Sequence, residues 1–264
     1  MEGDVATDPA LGAAQRVRMR DALGRLPARP TTLDRGVRLV VRAGFRLVGW
    51  RVRAEGLVRL PRDRDGRVVS CVLAVAPHRG WMDPFILLLA WPRDAPRLAW
   101  FGDGPTMARS WWRRWLFPRL GMIPILPGAT PGAVREHLAD ARTVLGHGSC
   151  LVIFPEKGPP SPRGQTRTIA AGAAWLVAAG NVPLVPIAIG GFLETGLGTR
   201  YRLRVLEPLA PPAIPPDTGD GRRAARVTTE SLGAALAPAV DELETWSART
   251  NRRRPLPALR GLFR

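Results

Sequence analysis

Apolar and polar positions along this chain form blocks that predict strands and helices in alternation. Short apolar runs between turn residues are typical of buried strands, and apolar positions spaced three or four residues apart are typical of helices. The first pattern predicts a strand and turn at 51–61 and strands at 68–76, 97–101, 122–126, 149–154, 182–190 and 201–209. The second predicts helices at 34–50, 84–91, 106–121, 131–146, 168–180 and 222–249.

This alternation indicates the fold class. Strands separated by helices predict an α/β fold, here a single domain with a largely parallel central sheet flanked by helices. An N-terminal amphipathic helix at 34–50 belongs to it. We place the domain at 31–249, after a loosely ordered segment at 1–30 and before a basic C-terminal tail at 250–264.

The N-terminal helix carries a basic stripe. Arg38, Arg42 and Arg46 recur every four positions and therefore share one face, with Trp50 at the end of the helix. Such a helix suits a membrane interface, where aromatic and basic side chains meet lipid headgroups. An ordinary surface helix with a solvated arginine face explains the same pattern, and the sequence leaves both interpretations open.

The chain is strongly basic, with 39 basic and 22 acidic residues, a net charge of +17, and Lys157 as its only lysine. A surface of this kind attracts nucleic acid, anionic lipid or phosphorylated substrates. The first residues lack a secretory signal pattern, and no apolar run reaches the length of a membrane-spanning helix.

The cysteines and two of the three histidines give no sign of a metal site. Cys71 and Cys150 lie in apolar runs, which predicts free core thiols in a reducing compartment. His137 and His147 have no metal-ligand spacing, and surface positions are expected for them.

The stretch PHRGWMDP at 77–84 places a histidine and an aspartate between two apolar runs. His78 follows directly on a predicted strand, where α/β folds gather functional groups, and Asp83 stands at the start of the next helix. A turn through Gly80 would bring the carboxylate to the imidazole and leave the second ring nitrogen as a base. The pair is a candidate catalytic dyad; a hydrogen-bonded turn histidine and a helix-capping aspartate are the alternative.

A second predicted strand, SCLVIF at 149–154, also leads directly into a charged side chain. The stretch FPEKG at 154–158 follows it, and Glu156 is the first charged residue there. If the two strands are parallel neighbours, Glu156 and His78 reach the same edge of the sheet. Gly158 and the loop that follows it would bring backbone N–H groups near a substrate. A solvated loop after the strand is the alternative.

These stretches resemble the motifs of the glycerolipid acyltransferases, the family that includes 1-acylglycerol-3-phosphate acyltransferase. PHRGWMD resembles the first motif, N-H-x-x-x-x-D, with Pro77 in place of asparagine. FPEKGPPS resembles the third, F-P-E-G-T-R-S, with Lys157 as a one-residue insertion. GMIPILP at 121–127 resembles the second motif and VPIAIGG at 185–191 the fourth.

The resemblance implies an O-acyltransferase that moves a fatty acyl group from an acyl-CoA or acyl carrier protein thioester to a hydroxyl of a lysophospholipid or related lipid. It implies His78 as the general base and Asp83 as its orienting partner. It also implies that Glu156 holds the acceptor's hydroxyls beside Gly158. No metal and no tightly bound cofactor are expected, because a thioester is already activated and backbone N–H groups suffice for its oxyanion.

Two family arginines, thought to hold the acceptor's phosphate, are replaced here by Pro127 and Pro160. The basic residues that could take their place are Lys157, Arg119, Arg163 and Arg167. Otherwise the acceptor lacks a phosphate monoester, as another lysolipid or a glycolipid does, or the activity is lost.

The segment SWWRRWLFPRL at 110–120 combines three tryptophans with arginines. Tryptophan favours the lipid headgroup layer, and arginine pairs with phosphate there. We therefore predict a peripheral protein on the cytoplasmic face of an anionic membrane, with an interface formed by Trp111, Trp112, Trp115, Arg113 and Arg114. Core tryptophans flanked by surface arginines are the alternative.

Two rival functions draw on the same features. A basic nucleic-acid-binding module would use the charge and the arginine–tryptophan cluster, but no helix-turn-helix, RRM or zinc spacing supports it, so nucleic acid is not expected as a partner. An α/β serine hydrolase would need a G-x-S-x-G elbow, which the sequence lacks. The oligomeric state stays open.

Overall fold

The computed structural model describes residues 24, 27–80, 82–104, 110–125, 131–156, 168–191, 196–210 and 219–251. The strands are β1 (Arg51–Glu55), β2 (Val72–Ala76), β3 (Leu98–Asp103), β4 (Met122–Ile125), β5 (Cys150–Ile153), β6 (Leu184–Gly190) and β7 (Arg200–Val205). The helices are α1 (Thr32–Leu47), α2 (Asp83–Ala90), α3 (Trp111–Arg119), α4 (Pro131–Gly146), α5 (Gly172–Gly180) and α6 (Gly219–Thr250). Each predicted strand and helix has a counterpart, so the predicted order of elements is confirmed.

The strands of the described residues form one seven-stranded sheet in the order β1-β7-β6-β2-β5-β3-β4. All neighbours are parallel except β6 and β7, which are antiparallel. The predicted α/β fold with a largely parallel sheet is therefore confirmed. β2, β5 and β6 lie at the centre and are buried along their whole length, which is why their sequences are continuous apolar runs.

Helices cover both faces of the sheet. Successive residues of a strand point to opposite faces, so β2 contributes to two apolar layers. Val72 and Ala74 pack with residues of α4, α5 and α6, whereas Leu73 and Val75 pack with residues of α1 and α2. The two layers hold the central strands in place, and with them the loops that follow their carboxyl ends.

Several helix boundaries differ from the predicted ones; α5, for example, begins at Gly172 rather than at residue 168. The helix expected at 106–121 begins at Trp111, because Ser110 has the extended conformation of an N-cap residue (φ −140°, ψ 146°). α1 ends at Leu47 rather than residue 50, and Gly49 after it has a positive φ of 72°. α2 begins at Asp83, so Pro84 is its second residue and not its first.

The basic stripe of α1 is only partly at the surface. Arg38 donates from Nη2 to the backbone oxygens of Leu89 (3.1 Å) and Trp91 (2.5 Å) at the end of α2. Burial lowers the pKa of Arg38, as do the neighbouring charges of Arg42 and Arg93. Of the three arginines only Arg46 is exposed, so the arginine face is solvated in part.

The solvent side of α1 is largely apolar instead. Leu39, Val40 and Leu47 are 68%, 72% and 87% exposed. Most of the loosely ordered segment predicted at 1–30, and all but the first residues of the tail at 250–264, lie outside the described residues.

Candidate active site

The carboxyl ends of the central parallel strands meet at one edge of the sheet. β2 lies between β5 and β6, with Val72 opposite Leu151 on one side and Ala76 opposite Ala188 on the other. The chain leaves β2 toward His78 at this edge. It leaves β5 toward Glu156 at the same edge, so the expected convergence of these two side chains is present.

The imidazole of His78 is bonded to the carboxylate of Asp83. Nδ1 of His78 lies 2.6 Å from Oδ2 of Asp83. The same carboxylate oxygen accepts hydrogen bonds from the backbone nitrogens of Arg79 (2.8 Å) and Gly80 (3.2 Å). A carboxylate that accepts three hydrogen bonds is fixed in position, and it fixes the ring in turn.

Solvent reaches the two partners unequally. The His78 side chain is 41% exposed, whereas the Asp83 side chain is fully buried at the start of α2. Because an ionised carboxylate only accepts hydrogen bonds, Nδ1 of the neutral ring carries the proton. Nε2 is then the unprotonated nitrogen, which is the arrangement that a general base requires.

β5 supports the histidine from its other side. The rings of His78 and Phe154 are stacked, with centroids 4.0 Å apart and an interplanar angle of 21°. Oε2 of Glu156 accepts a hydrogen bond from the backbone nitrogen of His78 over 2.9 Å. One oxygen of the carboxylate that was expected to bind the acceptor is therefore bonded to the segment 77–80 that carries His78, the histidine loop.

A further ion pair reaches the turn from the C-terminal helix. Arg79 contacts Glu244 of α6 through its guanidinium group, and both side chains are largely buried. Sequence reasoning missed this pair. Its two residues are 165 positions apart, and no local pattern links them.

Most of the other predicted substrate ligands lie outside the residues that the structure describes. Lys157, Gly158 and Arg163 lie outside the description, as do Arg167 and the proline positions 127 and 160.

Arg119 lies at the opposite edge of the sheet. Its backbone oxygen accepts a hydrogen bond from Arg97, which directly precedes β3 and is level with the start of β5. The whole length of β5 (Cys150–Ile153) lies between that level and Glu156, which follows the carboxyl end of the strand.

The tryptophans of α3 are at the surface. Trp111, Trp112 and Trp115 are 75%, 43% and 52% exposed, so the interpretation as core tryptophans is wrong. Arginine side chains lie over two of the rings: Arg113 is 5.2 Å from the centroid of Trp112, and Arg119 is 4.4 Å from that of Trp115. The neighbouring Arg114 is exposed as well.

The described segments contain neither a membrane-spanning helix nor a cluster of metal ligands. None of the helices there combines the length and the apolar character that crossing a bilayer requires. No group of three or more His, Cys, Asp and Glu side chains in those segments is arranged to hold a metal ion.

Comparison with known proteins agrees with the geometry. The fold is similar to the crystal structure of the 1-acyl-sn-glycerophosphate (LPA) acyltransferase, PlsC, from Thermotoga maritima, with a TM-score of 0.56 and 18% sequence identity over 80% of this chain and 79% of that one. A family model described as Acyltransferase matches residues 47–190, more than half of the 264 residues, including His78, Asp83 and Glu156. The chain belongs to the acyltransferase family.

Proposed function

We propose that this protein transfers a fatty acyl group from a thioester, acyl-CoA or acyl carrier protein, to a hydroxyl of a lysophospholipid or related lipid. The observation that carries the proposal is the 2.6 Å bond between His78 and Asp83, at the end of a central strand in a member of the acyltransferase family. The name of the similar Thermotoga maritima enzyme supports a lysophospholipid as the acceptor class.

The reaction follows from the chemistry of the dyad. Nε2 of His78 removes the proton of the acceptor hydroxyl as its oxygen attacks the thioester carbonyl. The tetrahedral intermediate collapses with cleavage of the carbon–sulfur bond, and the departing thiolate takes the proton back from the imidazolium. Asp83 stabilises the imidazolium and keeps the ring oriented throughout. No tightly bound cofactor takes part in this scheme.

Backbone N–H groups are the proposed donors to the oxyanion of the intermediate. We assign this role to Gly158 and the residues that follow it in the sequence. Glu156 stands two residues before Gly158 in the sequence, and its carboxylate has a second oxygen for the acceptor's hydroxyls. In this proposal Glu156 serves both the histidine loop and the acceptor.

Acceptor recognition involves the basic residues near Glu156. We propose Lys157 and Arg163 as the ligands of an acceptor phosphate, because in the sequence they follow Glu156, which bonds the backbone of His78. Arg119 is not suited to this role, since it lies at the opposite edge and its Nη1 donates to the backbone oxygen of Trp115 over 2.6 Å. With prolines at both family arginine positions, an acceptor without a phosphate monoester is the competing proposal.

The protein is proposed to be peripheral, on the cytoplasmic face of an anionic membrane. The exposed tryptophans of α3, together with Arg113 and Arg114, supply the aromatic and basic groups that favour the headgroup layer. The exposed apolar side of α1 supplies further surface of the same kind. Buried Arg97 connects the two helices, because it contacts both Asp34 of α1 (3.0 Å) and the backbone of Arg119.

The decisive experiment incubates the purified protein with acyl-CoA or acyl carrier protein and a panel of lysophospholipids, glycolipids and other lipid alcohols. Mass spectrometry of the products identifies the acceptor and the donor together. We expect one lysophospholipid to gain an acyl chain, and His78→Ala to abolish the product. Product formation that survives this substitution would place the base elsewhere, and no product with any acceptor would overturn the proposed activity.

A further inference from the structure

The C-terminal helix α6 reaches the turn that carries the dyad, although it lies outside the family-matched range of 47–190. The contact is the ion pair between Arg79, which directly follows His78, and Glu244. The two side chains are 15% and 14% exposed, so solvent screens the pair little. A pair in such surroundings has a strong preference for one geometry.

A close backbone approach fixes α6 at the same level of the sheet. A Cβ atom added at Gly190, the last residue of β6, would lie 2.8 Å from both the Cβ and the backbone oxygen of Leu243. Ala188 stands opposite Ala76, the last residue of β2, so Gly190 lies just beyond the end of this pairing, on the side where the chain continues to His78. The helix therefore touches the sheet at the residue next to Glu244, beside the dyad.

The turn from His78 to Asp83 is consequently held from two sides. β5 holds it through Glu156, which bonds the backbone of His78, and through Phe154, which stacks on the ring. α6 holds it through Glu244. The backbone nitrogen of Arg79 is also a donor to Asp83 Oδ2, at 2.8 Å. A displacement of Arg79 therefore moves one of the groups that fix the carboxylate.

We propose that Glu244 is a positioning residue for acyl transfer: through Arg79 it holds the turn in which Asp83 orients His78. The inference rests on the proposed function for its kinetic consequence, but its structural consequence is measurable without any substrate. It makes α6 part of the catalytic assembly rather than only a cover for one face of the sheet. Displacements of about 1 Å at a catalytic group cost up to about 100-fold in rate.

The kinetic test compares Glu244→Gln with a matched control on the same helix. Glu242→Gln removes a carboxylate two residues away, whose partner is Arg204 and not the dyad turn. We expect kcat to fall about 10- to 100-fold in Glu244→Gln with KM changed less than about threefold, and neither constant to change in the control. The exchanged pair Arg79→Glu/Glu244→Arg should regain most of the lost kcat.

A substrate-free readout separates this inference from the proposed function. The proton on Nδ1 of His78, held in a 2.6 Å bond to a carboxylate, should give a far-downfield NMR signal that His78→Ala removes. We expect Glu244→Gln to broaden or shift this signal while Glu242→Gln leaves it unchanged. The signal tests Glu244 even if every acceptor in the panel fails.

Two results would overturn the inference. One is a Glu244→Gln protein with the same kcat and the same His78 signal as the wild type. The other is loss of activity in Glu244→Gln without recovery in the exchanged pair, because Glu244 would then not act through Arg79. Circular dichroism shows whether Glu244→Gln folds. If it does not, the exchanged pair Arg79→Glu/Glu244→Arg is the test, and an exchanged pair that folds but has no activity contradicts the proposal.

Discussion

Glu156 and His78 are joined across two neighbouring strands: a carboxylate oxygen of the first accepts a hydrogen bond from the backbone nitrogen of the second over 2.9 Å. The bond connects the carboxyl end of β5 to that of β2. It places the histidine loop directly beside the residue that the family resemblance assigns to the acceptor. In the proposed mechanism the side chain of Glu156 therefore both holds His78 in position and binds the acceptor.

Two substitutions of Glu156 should differ in effect. Glu156→Ala removes the acceptor of the His78 N–H and should lower kcat/KM about 100-fold, because the loop loses its support. Glu156→Gln retains an amide oxygen that still accepts this bond, so a loss of about 10-fold or less is expected. Steady-state kinetics on the identified acceptor measure both, and equal losses would show that the carboxylate charge, rather than the loop bond, is what matters.

Asp83→Asn should leave the shape of the turn intact but remove the charge that orients the ring. We expect kcat to fall about 10²- to 10⁴-fold, since the amide can hold the wrong tautomer of His78 and cannot stabilise the imidazolium. The free energy of unfolding should fall by about 1–3 kcal/mol, because a buried group loses well-matched hydrogen bonds. Denaturant titration measures the second effect. Wild-type kcat in a folded Asp83→Asn protein would remove Asp83 from the mechanism.

The exposed tryptophans of α3 give a membrane prediction. The double substitution Trp111→Ala/Trp115→Ala should weaken binding to anionic vesicles at least about 10-fold, because each ring offers a large amphipathic surface to the headgroup layer. Vesicle sedimentation at several salt concentrations measures it. Val227→Ala, which trims an exposed apolar side chain of α6, is the control. Unchanged binding in the tryptophan variant would place the interface elsewhere.

Arg97 should contribute strongly to stability although it lies far from the dyad. Its guanidinium group is almost fully buried, and its pKa is lowered by burial while the paired Asp34 acts against that shift. Arg97→Ala leaves Asp34 without its charged partner, although Thr31 still donates to its carboxylate, and should cost about 3 kcal/mol of unfolding free energy. Arg226→Ala breaks an exposed pair with Glu230 and should cost less than about 1 kcal/mol. Similar denaturation midpoints for the two variants would contradict this.

The two cysteines should resist alkylation in the native protein. Their sulfur atoms lie 3.5 Å apart and both thiols are free and buried, as the sequence predicted. The hydrogen bond with Cys150 and burial raise the pKa of the Cys71 thiol well above its usual value, so the reactive thiolate is scarce at pH 8. Mass spectrometry after iodoacetamide treatment should find no label at Cys71 before unfolding and two labels per chain in guanidinium. Rapid labelling of Cys71 in the folded protein would contradict the buried geometry.

The sequence alone predicted the order of the strands and helices and the fold class of this protein. Continuous apolar runs identified the central strands, because a strand buried on both faces has no polar positions. The spacing of His78 and Asp83 made their contact a candidate, with a turn histidine and a helix cap as the alternative. The resemblance to the acyltransferase motifs favoured the contact, which the structure shows. Local patterns of this kind determine which residues are buried and which elements form.

The neighbours of each strand and helix could be known only from the three-dimensional structure. The bond of Glu156 to His78 depends on β5 being the neighbour of β2, and the pair of Arg79 with Glu244 depends on where α6 returns to the sheet. Arg119 shares the basic character of the other candidate ligands, yet strand direction places it at the opposite edge. A sequence pattern defines the faces of one element but contains no information about its neighbours, because contacts over long sequence separations are set by strand order and packing.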